Sequence, residues 1–315
     1  MTPQRIVILG GTGFLGSVLL QRLSAQGHSI RVLTRNREKH RGLAVLPRVT
    51  LVNADVHARE RLARHFGKAD CVINLVGILN ERGSDGAGFR RAHVELVASI
   101  IAACRIAGVP RLLQMSALRA GEGDSHYLQT RGEAEDLVRN SRLAWTIFRP
   151  SVIFGQNDGL FFRFAKLLRF IPLLPLARAR ARFAPVYVGD VAEAFARALV
   201  HPGTAEHTYE LFGPRAITLG EIVRWSARLI GKRRWVVPLP DFLGFLQACM
   251  GEWLPGKPIS RDNFRSLKLD SIGDVDGLAA LGIVATPMEF IMPALFASAS
   301  DRQARYDIFR EQHQR

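Results

Sequence analysis

Three glycines at 10, 13 and 16 follow directly on the apolar run Ile6-Val-Ile-Leu9, and residues of this type at this spacing hold a pyrophosphate. Gly10 permits the tight turn from strand to helix, Gly13 lets the backbone approach the phosphates, and Gly16 lets the following helix pack closely on the sheet. The N–H groups at that helix start, from Thr12 through Phe14 and Leu15, are the expected phosphate donors. The alternative is an ordinary structural turn.

The end of the second predicted strand bears on which dinucleotide is bound. A site selective for NAD places an acid there to bind the ribose 2′-hydroxyl, whereas this chain reads Val32-Leu-Thr-Arg-Asn-Arg37. NADP(H) is therefore expected over NAD(H), with Arg35 and Arg37 binding the 2′-phosphate and Arg35 stacking on adenine. A solvated basic loop is the other reading. Asp55, followed by Val56, is placed to accept from the adenine amine, and Asn74, Leu75, Val76 and Gly77 to line the ribose; loop capping is the alternative for both segments.

These residues need a scaffold that brings the ends of several strands together. Candidate strands at Arg5–Leu9, Ser29–Leu33, Val49–Asn53, Cys71–Leu75, Arg111–Met115 and Trp145–Arg149 alternate with candidate helices at 16–26, 59–66, 90–107 and 127–140. The expected fold is α/β, a Rossmann-type doubly wound parallel sheet with a smaller, mostly helical lobe. Residues 1–150 form the dinucleotide-binding domain, to which 184–212 return, and 151–183 with 213–315 form the smaller substrate or partner lobe. Glycine-rich Arg82–Gly88 reads as a mobile loop at the ligand-binding edge.

Composition narrows the function classes. The 315 residues suffice for a large core, and three well-separated cysteines in apolar surroundings suit buried free thiols in a reducing cytoplasm, with no metal site. The chain opens on a strand rather than a targeting signal, and its apolar runs are too short to span a bilayer. The net charge of +15 comes from dispersed basic residues, of which only six of 43 are lysine. Nucleic acid is not an expected partner; the arginine bias reads first as a genome's codon composition, and attraction to an anionic cofactor or acidic lipid headgroups is the alternative.

Taken together, these segments resemble the extended short-chain dehydrogenase/reductase superfamily. That resemblance implies a serine after the fifth strand that polarises a substrate carbonyl, a tyrosine that transfers the proton, and a lysine four residues later that binds ribose and activates the tyrosine. Met115-Ser-Ala-Leu118 and Ser125-His-Tyr-Leu-Gln-Thr-Arg131 supply Ser116 and Tyr127, and Arg131 stands where the family has lysine. A guanidinium keeps the charge but is planar and larger, so the exchange is not conservative. Phe148-Arg-Pro-Ser-Val-Ile-Phe-Gly155, including Pro150, is similar to the segment that closes over the nicotinamide. Pro185–Ala192 is similar to the helix entry that follows the family's substrate loop, and Ile259–Leu267 and Leu281–Pro293 are similar to an atypical branch containing the NADPH-binding accessory subunit of respiratory complex I and its bacterial relatives.

The resemblance implies either reduction of a carbonyl or quinone-like substrate or a non-catalytic accessory role in a respiratory complex or quinone metabolism. A nucleotide-sugar epimerase or dehydratase is a third possibility, opposed by the apolar 160–176 stretch. His93 and His126 are expected to pack or cap, and Asp190 to cap a helix. Leu160–Phe183 reads as a substrate-pocket wall or a membrane-facing surface, and Phe242–Leu254 as a second apolar surface or core. The expected location is cytoplasmic, with peripheral contact at the inner face of the membrane.

Overall fold

A computed structural model describes residues 2–254, 257 and 259–296, so the end of the smaller lobe expected from sequence, 297–315, lies outside the described residues. The first strand, β1 (Arg5–Leu9), shows why a parallel sheet forms. Ile6 and Ile8 enter one buried cluster while Val7 and Leu9 enter another, so an unbroken apolar run is buried on both faces. Around it lie β2 (Ser29–Thr34), β3 (Val49–Asn53), β4 (Cys71–Asn74), β5 (Arg111–Met115) and β6 (Ala144–Pro150).

Later in the chain come short strands β7 (Ile153–Phe154), β8 (Leu173–Leu176), β9 (Arg182–Phe183) and β10 (Val186–Tyr187), then β11 (His207–Leu211), β12 (Ile217–Thr218) and β13 (Trp235–Pro238). Seven strands form one parallel sheet in the order β11-β6-β5-β4-β1-β2-β3. The order reverses at β1 and β4, which opens a crevice at their carboxyl ends.

Helices α1 (Phe14–Ala25) through α5 (His126–Arg139) include α2 (Arg59–Phe66), α3 (Ala87–Arg90) and α4 (Leu96–Ala107), the last two joined by a π turn at Arg91–Glu95. After α6 (Phe161–Leu168) and α7 (Val188–Val200) come α8 (Leu219–Leu229), α9 (Asp241–Gly251), α10 (Arg261–Ser266), α11 (Gly277–Ala280) and α12 (Met288–Phe296). Apolar side chains of α1 and α7 cover one face of the sheet, those of α2, α4 and α5 the other. The fold is thus the doubly wound α/β arrangement that the alternating pattern implies.

Smaller cores form beyond residue 151. Leu168, Leu174, Leu176, Leu219 and Val223 make one, and Phe154, Phe161, Ile222, Met288 and Met292 another. Phe161, Phe164 and Leu168 of α6 face these cores, so within Leu160–Phe183 these apolar residues are packed inward while Lys166, Leu167 and Arg169 are exposed. The expected role of Asp190 is corrected. It caps no helix: its carboxylate accepts from the Thr286 N–H at 2.7 Å and from the Thr286 hydroxyl at 2.9 Å, tying α7 to the segment before α12. Cys71 and Cys104 are buried free thiols. Among the described residues no helix is long and apolar enough to cross a membrane, and no cluster of side chains suits a metal ion.

Candidate functional site

The glycine turn is built as its spacing demands. Gly10 adopts φ +78°, and its carbonyl accepts from the Gly13 N–H at 3.0 Å. A Cβ on Gly10 would stand 2.9 Å from the Leu75 carbonyl carbon, and one on Gly16 2.5 Å from the Gly11 carbonyl. Both positions therefore exclude side chains. Helix α1 starts after Gly13 with no side-chain cap and no acid in its first turn, so its leading N–H groups remain available to an anion. Thr12 and Phe14 are half-buried beside this opening, Leu15 is buried beneath it, and Phe14 reaches across to Gly155.

Arg35 and Arg37 follow β2 on a shaped loop. The Thr34 hydroxyl accepts from the Asn36 N–H, Asn36 from Lys39, and Asn53 from the Arg37 N–H. Arg35 is exposed and has no ion-pair partner among the described residues. Arg37 pairs with Glu38 at 2.9 Å, but both side chains are more than half exposed, so the pairing is weak and exchangeable. Asp55 uses one oxygen to accept from the His57 N–H, an Asx turn that leaves the exposed carboxylate's other oxygen unengaged among the described residues; Val56 packs on the core.

At the end of β4, Asn74 is fully buried. Its amide donates to Gln114 at 2.9 Å and its carbonyl accepts from the Val76 N–H, which sets the turn through Leu75 and Val76 to exposed Gly77. Arg131 lies over that turn. Its guanidinium donates to the Met115 carbonyl at 3.0 Å, and a Cβ on Gly77 would overlap it. The side chain is only 5% exposed, yet its Nε has no partner among the described residues. An orphaned buried donor beside a backbone too close for any side chain fits a ligand rich in oxygen acceptors.

Tyr127 is one helical turn before Arg131 on α5, and the guanidinium carbon lies 5.6 Å from its ring centroid. Phe89 and His93 pack edge-on against that ring at 6.0 and 5.6 Å. His93 is a packing residue, as expected. Its Nδ1 donates to the Thr130 hydroxyl at 2.9 Å, since that hydroxyl itself donates to the His126 carbonyl, and its Nε2 accepts from the Ile78 N–H. Burial, reinforced by the Arg131 charge, lowers the His93 pKa to about 2.

His93 therefore makes folding pH-dependent. The unfolded ring takes up a proton below its ordinary pKa of about 6.5 and the folded ring does not, so stability falls as pH drops through that value. Between neutral pH and pH 5 this costs about 2 kcal/mol. Denaturant unfolding of His93→Gln should lose stability over that interval by about 2 kcal/mol less than the parent; an unchanged slope would contradict a buried neutral ring.

Ser116 is placed differently from Tyr127 and Arg131. It is buried, and its hydroxyl donates to Glu135 at 2.6 Å. Glu135, fully buried, also accepts from Arg149 at 2.8 and 2.6 Å and from Arg139. In this arrangement the Ser116 proton is engaged on a carboxylate rather than directed at a ligand. Pro150, buried at the end of β6, accepts from the Leu118 N–H and closes this side of the crevice.

Sequence reading missed Glu135 and Asp262. Glu135 lies four residues after Arg131, a spacing that places it on the inward side of α5. Asp262 accepts from the His126 and Tyr127 N–H groups at 2.6 and 3.1 Å, adding to the Ser125 cap and fixing the start of α5 from a residue 135 positions away. No local signal reveals such a contact. Arg82–Gly88 is corrected from a mobile loop to a braced one: buried Glu81 accepts from the Gly86 and Gly88 N–H groups, both at 2.8 Å.

A family model described as NAD(P)H-binding matches residues 10–161, which contain the glycine turn, Arg35, Arg37, Tyr127 and Arg131. Among curated relatives, the 40 kDa subunit of NADH-ubiquinone oxidoreductase from Neurospora crassa is 29% identical over 74% of this chain and 62% of its own length. Subunit 9 of the NADH dehydrogenase 1 alpha subcomplex from Arabidopsis thaliana is 31% identical over 84% of this chain and 68% of its own. A ceramide reductase from Caulobacter vibrioides is 31% identical over 75% and 74%. Among solved structures, MoeE5 in complex with UDP-glucose and NAD superposes with a TM-score of 0.72 at 16% identity, covering 93% of this chain and 97% of that one. At that identity the likeness concerns the fold alone.

Proposed function

The chain belongs to the NAD(P)H-binding, atypical short-chain dehydrogenase/reductase family that includes subunits of respiratory complex I and a ceramide reductase, and on that premise we propose that it binds NADP(H) and reduces an apolar carbonyl or quinone-like compound. The observation that carries this reading is the placement of Tyr127 and Arg131 on one face of α5, with the unpartnered Arg131 Nε above the Gly77 turn.

Gly10, Gly13 and Gly16, with the N–H groups of Thr12, Phe14 and Leu15, hold the pyrophosphate; Arg35 and Arg37 hold the 2′-phosphate. Asp55 and Val56 border the adenine, and Leu75, Val76, Gly77 and Arg131 the ribose, with Pro150 closing the far side. When bound, NADPH would supply a hydride for the substrate's carbonyl carbon and would be left as NADP⁺. Tyr127 gives its hydroxyl proton to the substrate oxygen, and solvent restores it. Ser116 reaches that oxygen only by releasing Glu135. The name of the Caulobacter relative supports an apolar substrate. Such a substrate resides in bilayers, so the protein works in the cytoplasm at the inner membrane face.

A second reading is favoured by arginine at 131. The fork is fixed on the Met115 carbonyl and against Gly77, which suits ribose binding better than shuttling a proton. The chain would then be a nucleotide-locked accessory factor in contact with a respiratory complex, as the names of the mitochondrial relatives suggest. Purification with bound nucleotide, followed by addition of long-chain aldehydes and quinones, separates the two. Consumption of bound NADPH with stoichiometric product supports the reductase; stoichiometric NADPH that no substrate oxidises overturns it in favour of the accessory role.

A further inference from the structure

Helix α9 is packed inside out. Its buried residues are Gly244, Ala248 and Gly251, which sit against Ala177, Phe264 and Ile259. Its large apolar residues face outward: Phe242 is 72% exposed, Phe245 43%, Leu246 54% and Met250 65%. An amphipathic helix of a globular protein does the opposite. The small face is a tight fit, since Cβ atoms added to Gly244 and Gly251 would lie 3.0 and 2.6 Å from Phe264 and Ile259 atoms.

The apolar surface continues beyond the helix. Gln247 fastens α9 alongside β8, its amide donating to the Pro175 carbonyl and its oxygen accepting from the Ala177 N–H. Strand β8 pairs with β13, and their first residues, Leu173 and Trp235, are cross-strand neighbours 50% and 75% exposed. Arg234 donates to the carbonyls of Leu168 and Arg169, which brings the segments leading into both strands together. There the exposed cations Lys166, Arg169, Lys232 and Arg233 gather, without an acidic partner among the described residues.

Acidic residues are sparse around this face. Residues 159–189 contain no Asp or Glu, and between Glu221 and Glu252 the single acid is Asp241, which pairs with Arg178 at 3.2 Å. Exposed apolar side chains on one helix beside a cation cluster with no acids match the headgroup boundary of an anionic bilayer, where apolar groups insert and ammonium and guanidinium groups meet phosphates. We propose that α9 and the β8–β13 pair form the surface by which the protein docks on an anionic phospholipid membrane. This rests on the reading of an apolar, bilayer-dissolved substrate and gives that reading a route of delivery.

Flotation of the full-length protein with vesicles of phosphatidylcholine alone, or mixed with phosphatidylglycerol, tests the proposal without nucleotide or substrate. The parent should float with the anionic vesicles in low salt and much less with the neutral ones. Combined Phe242→Gln and Phe245→Gln should lower partitioning about tenfold or more. Lys232→Gln and Arg233→Gln should lower it roughly fivefold per charge on anionic vesicles only. Phe242, Lys232 and Arg233 are exposed and only the Phe245 ring edge rests on Phe264, so NADPH affinity should match the parent and the unfolding temperature should fall little in the phenylalanine variant and not at all in the cation variants. A parent that stays unbound in low salt, or variants that float equally well, would overturn the proposal. So would a concentration-dependent dimer that the phenylalanine variants dissociate, since a second copy would then cover the face. Flotation without turnover would sink the reductase reading alone.

Discussion

Glu135→Ala is expected to destabilise the fold by about 3–5 kcal/mol, because removing one partner from a buried ionic cluster leaves the others uncompensated. The carboxylate is fully buried and collects the Ser116 hydroxyl, two bonds from the Nε and Nη2 of Arg149 and a bond from Arg139. These partners come from the end of β5, from β6 and from α5, so the cluster joins the elements that carry Ser116 and Tyr127. The Arg139 and Arg149 side chains are 36% and 21% exposed and can turn partly to water, which places the loss nearer the lower figure. Glu135→Gln keeps the volume and one acceptor, and should cost about 1.5–3 kcal/mol. Urea unfolding at neutral pH reads both. A loss below about 1 kcal/mol for the alanine variant would place this cluster with ordinary surface pairs and contradict its role.

Arg131→Ala should weaken NADP(H) binding roughly 10- to 150-fold, the equivalent of losing a charge-assisted contact of about 1.5–3 kcal/mol. The guanidinium is buried, holds the Met115 carbonyl and retains an Nε without a partner among the described residues beside Gly77, so its truncation removes both a charge and one wall of the proposed ribose site. Tyr127→Phe keeps the ring that packs on Phe89 and His93, and should leave binding nearly unchanged while abolishing any turnover. Arg131→Lys should raise turnover if the compact ammonium reaches both ribose and tyrosine. Fluorescence titration and steady-state rates on the same preparations separate the two roles. Unaltered affinity in Arg131→Ala would show that the fork serves only to brace the end of β5.

The architecture was legible because strands buried on both faces read as unbroken apolar runs and because glycines at 10, 13 and 16 fit a single turn geometry. Helix boundaries moved by a residue or two, and the helix expected from 90 starts at Ala87 and passes through a π turn before α4. What sequence could not provide were partners far along the chain. Asp190 resembles a cap at the start of α7, yet Thr286 claims it; Ser116 fits a family motif, yet a glutamate on the neighbouring helix takes its proton. Likewise, the phenylalanines and leucines of α9 read equally as core or surface. The geometry decides for surface, since glycine and alanine allow that helix its close approach on the other side.

Calorimetric titration of the parent protein with NADPH and with NADH tests the central claim most directly. Arg35 is exposed and unpaired among the described residues, at the strand end where the 2′-position of a bound dinucleotide falls. NADPH should therefore bind at least about tenfold more tightly, and Arg35→Ala should erase most of the difference. Equal affinities of the parent for the two nucleotides would contradict the account.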